Sequence, residues 1–252
     1  MSTDPWRLLD EADTVLAVHA HPDDESLSTG ALLAALAAAG TRVVLVTATR
    51  GEEGEVVPGA VADGDARPLE EIREQEIDAA AGALGIAERH WLGTAPARAA
   101  GAAPRRYRDS GMSWVREGLA GPSPAAGPDS FSLVPLPQAV DDLAALIEHV
   151  RPAVLIGYDD EGTYGHPDHV RAHQVTLAAA ERTGVPLVQI ASDPGVPGTA
   201  MREHPGVDQA VRDAVDSYRT QLTLIGPVDG GLAIRHVGGQ DDVVALRTGL
   251  RG

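Results

Sequence analysis

The segment "HAHPDDE" (19–25) places two histidines and three acids within seven consecutive residues. It lies directly after an apolar run and directly before a run with the pattern of a helix. Burying so many titratable groups at a strand end is costly unless something pairs with them. A divalent cation would provide that pairing, so the segment predicts a metal site with acid–base chemistry beside it.

A second segment, "YDDEGTYGHPDHVRAH" (158–173), repeats the tripeptide His-Pro-Asp in the same context. Each copy follows an apolar run and precedes a helical run. Proline biases the residue before it toward extended geometry and suits the first turn of a helix. Capping of a helix N-terminus would explain one copy. Two copies at two strand ends favour a shared site instead.

The absence of cysteine leaves histidine and carboxylate as the metal ligands. Zinc in catalytic sites commonly takes three protein ligands and keeps one position for water. His21, Asp24 and His169 form such a set, although Fe²⁺, Co²⁺ or Mn²⁺ would also accept it. His19 shares a strand face with His21, and we prefer His21 because it lies nearer the strand end. His169 and His173 form a competing i,i+4 pair, but the glutamate that follows the first histidine in zinc-binding helices is absent.

The elements that must position these residues alternate along the chain. Apolar runs predict strands over 14–20, 42–51, 90–93, 152–158 and 186–192. Helical periodicity predicts helices over 28–40, 67–85, 138–150, 168–184 and 207–225. Residues 94–137 have an irregular pattern, and the Gly-rich tail from 226 has weak strand signals. This order predicts an α/β fold: a Rossmann-like, mainly parallel sheet flanked by helices, with a smaller C-terminal region. We expect one domain over 1–252, with its core at about 14–222 and the tail 223–252 completing it.

Composition excludes several functions. The 252 residues carry a formal charge of −17, which argues against nucleic acid or an anionic membrane as a partner. All the basic residues are arginine, so Schiff-base and P-loop lysines are excluded. The N-terminal segment has no signal-peptide pattern, and no run has the ~18 apolar residues of a membrane span. We therefore expect a cytoplasmic protein with a small-molecule substrate; the sequence leaves its oligomeric state open.

The two motifs, "AHPDDE" (20–25) and "YGHPDH" (164–169), resemble the LmbE-like or PIG-L family of zinc-dependent N-acetylglucosaminyl deacetylases. The resemblance extends from about 14 to 222. The stretches "GEEGEV" (51–56) and "YRDSGM" (107–112) are similar to its mycothiol-pathway branch. That branch contains a GlcNAc–inositol deacetylase and a mycothiol S-conjugate amidase. The resemblance implies an LmbE-like fold that acts on the amide of an N-acetyl amino sugar.

The resemblance also implies a role for each polar residue of the motifs. Asp23 would be the general base. His166 would be a cationic acid or an oxyanion stabiliser, Tyr164 would contact the carbonyl oxygen, and Asp168 would orient a histidine. Zinc would be bound by three residues, His21, Asp24 and His169.

Three further positions match sugar-binding residues of the family: Arg73, Asp109 and Glu55. Without the resemblance, the sequence favours a surface ion pair on a Glu-rich helix for Arg73. For Asp109 the simplest alternative is a solvated acid in a turn. The expected function is removal of the acetyl group from an N-acetylglucosamine conjugate. The alternatives are a mycothiol S-conjugate amidase, a deacetylase of another amino sugar, and a non-catalytic metal- or sugar-binding protein.

Overall fold

The predicted strands form a mainly parallel sheet, as expected. The computed structural model describes residues 4–116 and 119–251. The strands of the main sheet are β1 (Thr14–His19), β2 (Arg42–Thr47), β3 (Glu88–Trp91), β6 (Val154–Tyr158), β7 (Leu187–Ile190), β8 (Ala200–Glu203) and β12 (Arg247–Arg251). Their order in the sheet is β3-β2-β1-β6-β7-β12-β8. The first five strands in this order are parallel, and β12 is antiparallel to both of its neighbours.

Helices cover both faces of this sheet. They are α1 (Pro5–Asp10), α2 (Asp24–Ser28), α3 (Gly30–Ala38), α4 (Leu69–Leu84), α5 (Leu136–Val150), α6 (Gly162–Gly165), α7 (Pro167–Thr183) and α8 (Asp208–Ser217). Alternate residues of each strand pack into two separate apolar clusters: Val15 and Ala17 into one, Leu16 and Val18 into the other. Residues of α3, α4 and α8 complete the first cluster, and residues of α5 and α7 complete the second.

The position of β1 explains where a site can form. From β1 the chain continues to β2 and β3 on one side, and later places β6 on the other side. The helices after β1 and β6 therefore leave the sheet in opposite directions. A crevice forms outside the carboxyl ends at such a switch point, and ligands of open α/β sheets bind there. Both His-Pro-Asp segments follow these two strands.

The C-terminal region differs from its expected pattern. The helix predicted over 207–225 is wrong beyond Ser217, where α8 ends. β9 (Leu222–Val228), β10 (Gly231–His236) and β11 (Asp241–Ala245) form a separate antiparallel sheet of order β11-β10-β9. The chain then returns to the main sheet as β12. Tyr218, Leu222 and Ile225 continue the i,i+3 and i,i+4 spacing of a helix, but pairing with β10 makes 222–228 a strand.

The segment 94–137 is largely irregular, as predicted, with one short hairpin formed by β4 (Ser113–Arg116) and β5 (Leu119–Gly121). A helix long and apolar enough to cross a membrane is not found within the described ranges.

Candidate metal centre and cleft

The first motif turns sharply as it leaves β1. Asp23 has φ 108° and ψ −30°, which non-glycine residues rarely adopt, and α2 begins at the next residue. Strained backbone of this kind is concentrated at functional sites. The turn directs His21 and Asp24 into the crevice, where both are buried.

Three side chains from the two motifs meet in this crevice. His169 Nε2 lies 3.3 Å from His21 Nδ1 and 3.2 Å from Asp24 Oδ1. His21 Nδ1 lies 3.3 Å from Asp24 Oδ2. Ligands at ~2.0–2.1 Å from a tetrahedral zinc ion are separated by about 3.3 Å. The two histidine nitrogens, and the Asp24 oxygen nearest each of them, therefore have the spacing of zinc ligands.

Hydrogen bonds behind the three side chains orient them toward one point. The Tyr158 hydroxyl donates to Asp24 Oδ2 over 2.7 Å, which leaves Oδ1 toward His169. His169 Nδ1 lies 2.7 Å from Thr163 Oγ1, whose own hydroxyl donates to the Gly162 carbonyl. Nδ1 therefore carries the proton of a neutral imidazole, and Nε2 keeps its lone pair for the cluster.

His21 is oriented in the same way by Asp168. Its Nε2 lies 3.2 Å from Asp168 Oδ2, so a proton there leaves Nδ1 as the free donor atom. Asp168 is fully buried and is itself fixed by the backbone N–H and hydroxyl of Ser110. Burial lowers the pKa of His21, but Asp109, Asp168 and Asp24 together raise it well above its usual value. The surrounding carboxylates thus favour positive charge at this point, as a cation site requires.

Asp23 directly precedes Asp24 in the chain, and its carboxylate is not part of the cluster. Asp23 lines one cavity together with His21, Asp24 and His169. Its backbone N–H donates to Glu25 Oε2 over 3.3 Å. Burial and the charges of Asp24 and Glu25 raise the pKa of Asp23 well above its usual value. A carboxylate with a raised pKa is a better proton acceptor, which suits a general base.

His166 lies against both histidines of the cluster. Its ring centroid is 4.6 Å from that of His21 and 5.0 Å from that of His169. Its Nδ1 accepts the backbone N–H of Asp168 over 3.2 Å, so a neutral ring carries its proton on Nε2. Burial and the two neighbouring histidines lower the pKa of His166 to about 3. This geometry favours a neutral hydrogen-bond donor over the cationic acid that the sequence also allowed.

Tyr164 forms one wall of the cleft. Its side chain is exposed, and its ring meets that of His169 edge to face at 5.4 Å. The preceding residue, Thr163, has φ 61°, a second strained position at the site. A larger cavity of about 750 Å³ opens on the other side of Thr163 and Tyr164.

The expected sugar-binding residues line the cavity that contains the histidine cluster, whose volume is about 420 Å³. Arg73 is 1% exposed, which excludes the surface ion pair. It donates to the carbonyls of Gly54 and Glu55, while its Nε and Nη1 have no hydrogen-bond partner among the described residues. Asp109 is buried, its Oδ1 lies 3.6 Å from His21 Nε2, and it accepts a hydrogen bond from the Gly111 N–H. It is therefore not a solvated acid in a turn. The Glu55 side chain is exposed at the cavity.

The two competing histidines have other contacts. His19 is buried beneath the site, with Nδ1 3.2 Å from the Tyr158 hydroxyl and Nε2 2.9 Å from Thr29 Oγ1. His173 Nδ1 lies 3.0 Å from the Tyr158 carbonyl oxygen, to which it donates. Neither one belongs to the cluster of short contacts that joins His21, Asp24 and His169.

Sequence reasoning missed the residues that support this site from afar. The Glu25 side chain accepts the Tyr218 hydroxyl over 2.6 Å, which connects the first motif to the end of α8. The cavity is also lined by four C-terminal residues, Gln221, His236, Val237 and Asp242. The acid at the end of "HPDDE" was a visible signal for Glu25. The tail carries no motif, so nothing local pointed to the other residues.

The chain is similar to known proteins over most of its length. The family model described as "PIG-L: GlcNAc-PI de-N-acetylase" matches residues 16–180. A 1D-myo-inositol 2-acetamido-2-deoxy-alpha-D-glucopyranoside deacetylase of Thermobifida fusca is 37% identical over 240 residues, covering 92% of this chain and 76% of that protein. A protein of the same description from Saccharopolyspora erythraea is 44% identical over 172 residues, covering 67% of this chain. The matched segment spans 54%, about half, of that relative's length.

A solved structure shares the fold. N,N'-diacetylchitobiose deacetylase from Pyrococcus horikoshii is similar with a TM-score of 0.56 and 18% identity, covering 85% of this chain and 74% of that one.

Proposed function

The chain belongs to the PIG-L family of GlcNAc-PI de-N-acetylases, and we propose that it removes the acetyl group from an N-acetylglucosamine conjugate of the GlcNAc–inositol type. One observation carries the proposal: the short contacts among His21, Asp24 and His169, with the carboxylate of Asp23 beside them. The names of the relatives support a GlcNAc–inositol substrate.

His21, Asp24 and His169 would hold a divalent ion, for which zinc is our first choice and Fe²⁺ the next. Such an ion lowers the pKa of a bound water to about 7 and polarises the amide carbonyl. Asp168 and Thr163 contribute by fixing the ring orientations of His21 and His169. That support keeps the metal-facing nitrogens deprotonated.

Hydrolysis then needs one base and two donors from this chain. Asp23 takes the proton of the attacking water as the new C–O bond forms. Nε2–H of His166 and the hydroxyl of Tyr164 donate to the carbonyl oxygen as it gains negative charge. Asp23 returns its proton to the nitrogen as the C–N bond breaks, so the products are acetate and the free amino sugar.

Polar residues of the same cavity would bind the sugar. Arg73 has N–H groups that find no partner within 4–116 and 119–251, and these would donate to sugar hydroxyls. The carboxylate of Asp109 would accept from them. Glu55 adds an exposed carboxylate at the edge. Arg73, Asp109 and Glu55 all line the cavity that contains the proposed metal ligands, so one sugar could contact all three.

A second candidate reaction is cleavage of a larger acyl group from the same amino sugar, as in a mycothiol S-conjugate amidase. The cavity of about 750 Å³ beyond Tyr164 favours it, because an acetyl methyl group needs far less space. The chemistry of the amide bond would be the same.

The deciding experiment measures release of acid from three substrates by the metal-loaded protein: GlcNAc–inositol, a bimane-labelled mycothiol conjugate and free N-acetylglucosamine. We expect acetate release from GlcNAc–inositol that a chelator abolishes and zinc restores. Faster cleavage of the bimane conjugate would instead favour the amidase. A metal-replete protein that cleaves none of the three would contradict the proposal and support a non-catalytic binding role. A cytoplasmic location remains a prediction of the sequence.

A further inference from the structure

One face of the C-terminal sheet packs on the core and, at its end, lines the cavity of the proposed metal site. Ile234 of β10 and Val244 of β11 are buried, because alternate residues of a strand share one face. His236 and Asp242 lie two residues further along these strands on that same face. There the sheet extends past the core, and both residues line the cavity that holds the histidine cluster.

These two side chains form a pair at the outer edge of the cavity. His236 Nε2 lies 3.3 Å from Asp242 Oδ2, and the side chains remain 36% and 65% exposed. The outward face of the same hairpin carries a pair of its own, in which the Arg235 guanidinium donates to the Asp241 carboxylate over 2.7 and 3.1 Å. The outward pair can stabilise the hairpin alone, so the inward pair is available for another role.

The hairpin is held at a fixed position over the first motif. Gln221, just before β9, donates from Nε2 to the carbonyl of Pro22 over 2.8 Å. The Tyr218 hydroxyl donates to the buried Glu25 carboxylate. Both contacts join the segment just before β9 to the first motif, at residues on either side of Asp23. The distance between the inward pair and the cluster is therefore set by the fold.

We propose that His236 and Asp242 form the subsite for the group attached to the anomeric carbon of the sugar, and that this group is an uncharged cyclic polyol. The inference rests on the proposed function, which assigns the amino sugar itself to Arg73 and Asp109. A carboxylate accepts hydrogen bonds from neighbouring hydroxyls, and an imidazole completes the recognition as donor or acceptor. An apolar group would offer neither side chain a hydrogen bond, and an anionic group would be repelled by Asp242.

The test is calorimetric binding of two amines, glucosaminyl inositol and glucosamine, to the metal-loaded protein. The amines are products, so binding is measured without turnover. We expect the wild-type protein to bind the inositol conjugate more tightly than glucosamine. Asp242→Asn and His236→Ala should each reduce that preference about tenfold, the effect of losing one hydrogen bond to a charged group. The matched outward variants, Asp241→Asn and Arg235→Gln, should leave it unchanged.

Two results would overturn the assignment: equal affinity of the wild-type protein for both amines, or a preference that Asp242→Asn and His236→Ala retain. An equal loss in the outward variants would do so as well, since it would show an effect of hairpin stability. Acetate release is measured separately on the wild-type protein. Tight conjugate binding without acetate release would contradict the proposed function while leaving the polyol subsite in place.

Discussion

His169 Nε2 lies 3.3 Å from His21 Nδ1, although 148 positions separate the two residues in the chain. The contact exists because β1 and β6 are parallel neighbours whose carboxyl ends meet at one edge of the sheet. Each strand is followed by the same tripeptide, so the edge receives two histidines and two aspartates together. The fold thus builds the site from two short segments.

Metal affinity should distinguish the role of His169 from that of His173. His169→Gln removes one of three donor atoms, and we expect metal affinity to fall by more than about 100-fold, since even supporting residues typically cost 10- to 100-fold. His173→Asn keeps a donor near the Nδ1 position that contacts the Tyr158 carbonyl, so it should retain the metal. Metal content after dialysis, measured by mass spectrometry, gives the answer. Equal metal loss in both variants would restore the i,i+4 pair as the ligand set.

Asp23→Asn should abolish the reaction without loss of metal. Asparagine tolerates positive φ, so the strained turn at φ 108° can survive the substitution. The amide cannot accept a proton, and we expect kcat to fall by ~10²–10⁴. Asp160→Asn is the control, because Asp160 is an exposed acid after β6 that pairs with Arg251. Full activity in Asp23→Asn would assign the base elsewhere.

The parallel core, and the meeting of His21, Asp24 and His169 at one sheet edge, could be predicted from sequence because both depend on local signals. Continuous apolar runs mark buried strands, and the placement of ligands at carboxyl ends follows from topology alone. The choice of His21 over His19 needed only the direction of the strand. The structure adds Tyr158 and Thr163, whose hydrogen bonds depend on residues that are distant in sequence.

The C-terminal region could not be predicted in the same way. Residues after Ser217 have apolar spacing compatible with a helix, and only pairing with β10 makes 222–228 a strand. β12 joins the main sheet between β7 and β8, far along the chain from its partners. The cleft contacts of His236 and Asp242 depend on this long-range pairing, so no local pattern could reveal them.

Arg73→Lys should weaken substrate binding more than it slows the chemical step. Lysine cannot contact both carbonyls of Gly54 and Glu55 and still present further N–H groups to the cavity. We expect KM for the conjugate to rise about tenfold with a smaller change in kcat. Arg67→Lys is the control, since Arg67 is an exposed residue that pairs with Asp65 near the start of the same helix. A drop in kcat alone would place Arg73 in the chemistry instead.

His19 should make the metal-free protein less stable in acid. Burial lowers the pKa of His19 to about 4, whereas the unfolded chain protonates it near 6.5. Between these values the unfolded state binds the extra proton. The free energy of unfolding therefore falls as pH decreases from about 6.5 to about 4, by up to ~1.4 kcal/mol per pH unit from this residue. Above 6.5 the contribution is complete and constant.

Urea unfolding at half-unit pH steps, in the presence of a chelator, measures that slope. His19→Gln keeps a donor toward Thr29 but cannot titrate, so its stability should change less steeply between pH 6.5 and 4. His166, whose pKa is also lowered, contributes equally to both proteins and cancels in the comparison. Parallel curves for His19→Gln and the wild-type protein would contradict the prediction, because they would show that folding does not change the proton binding of His19.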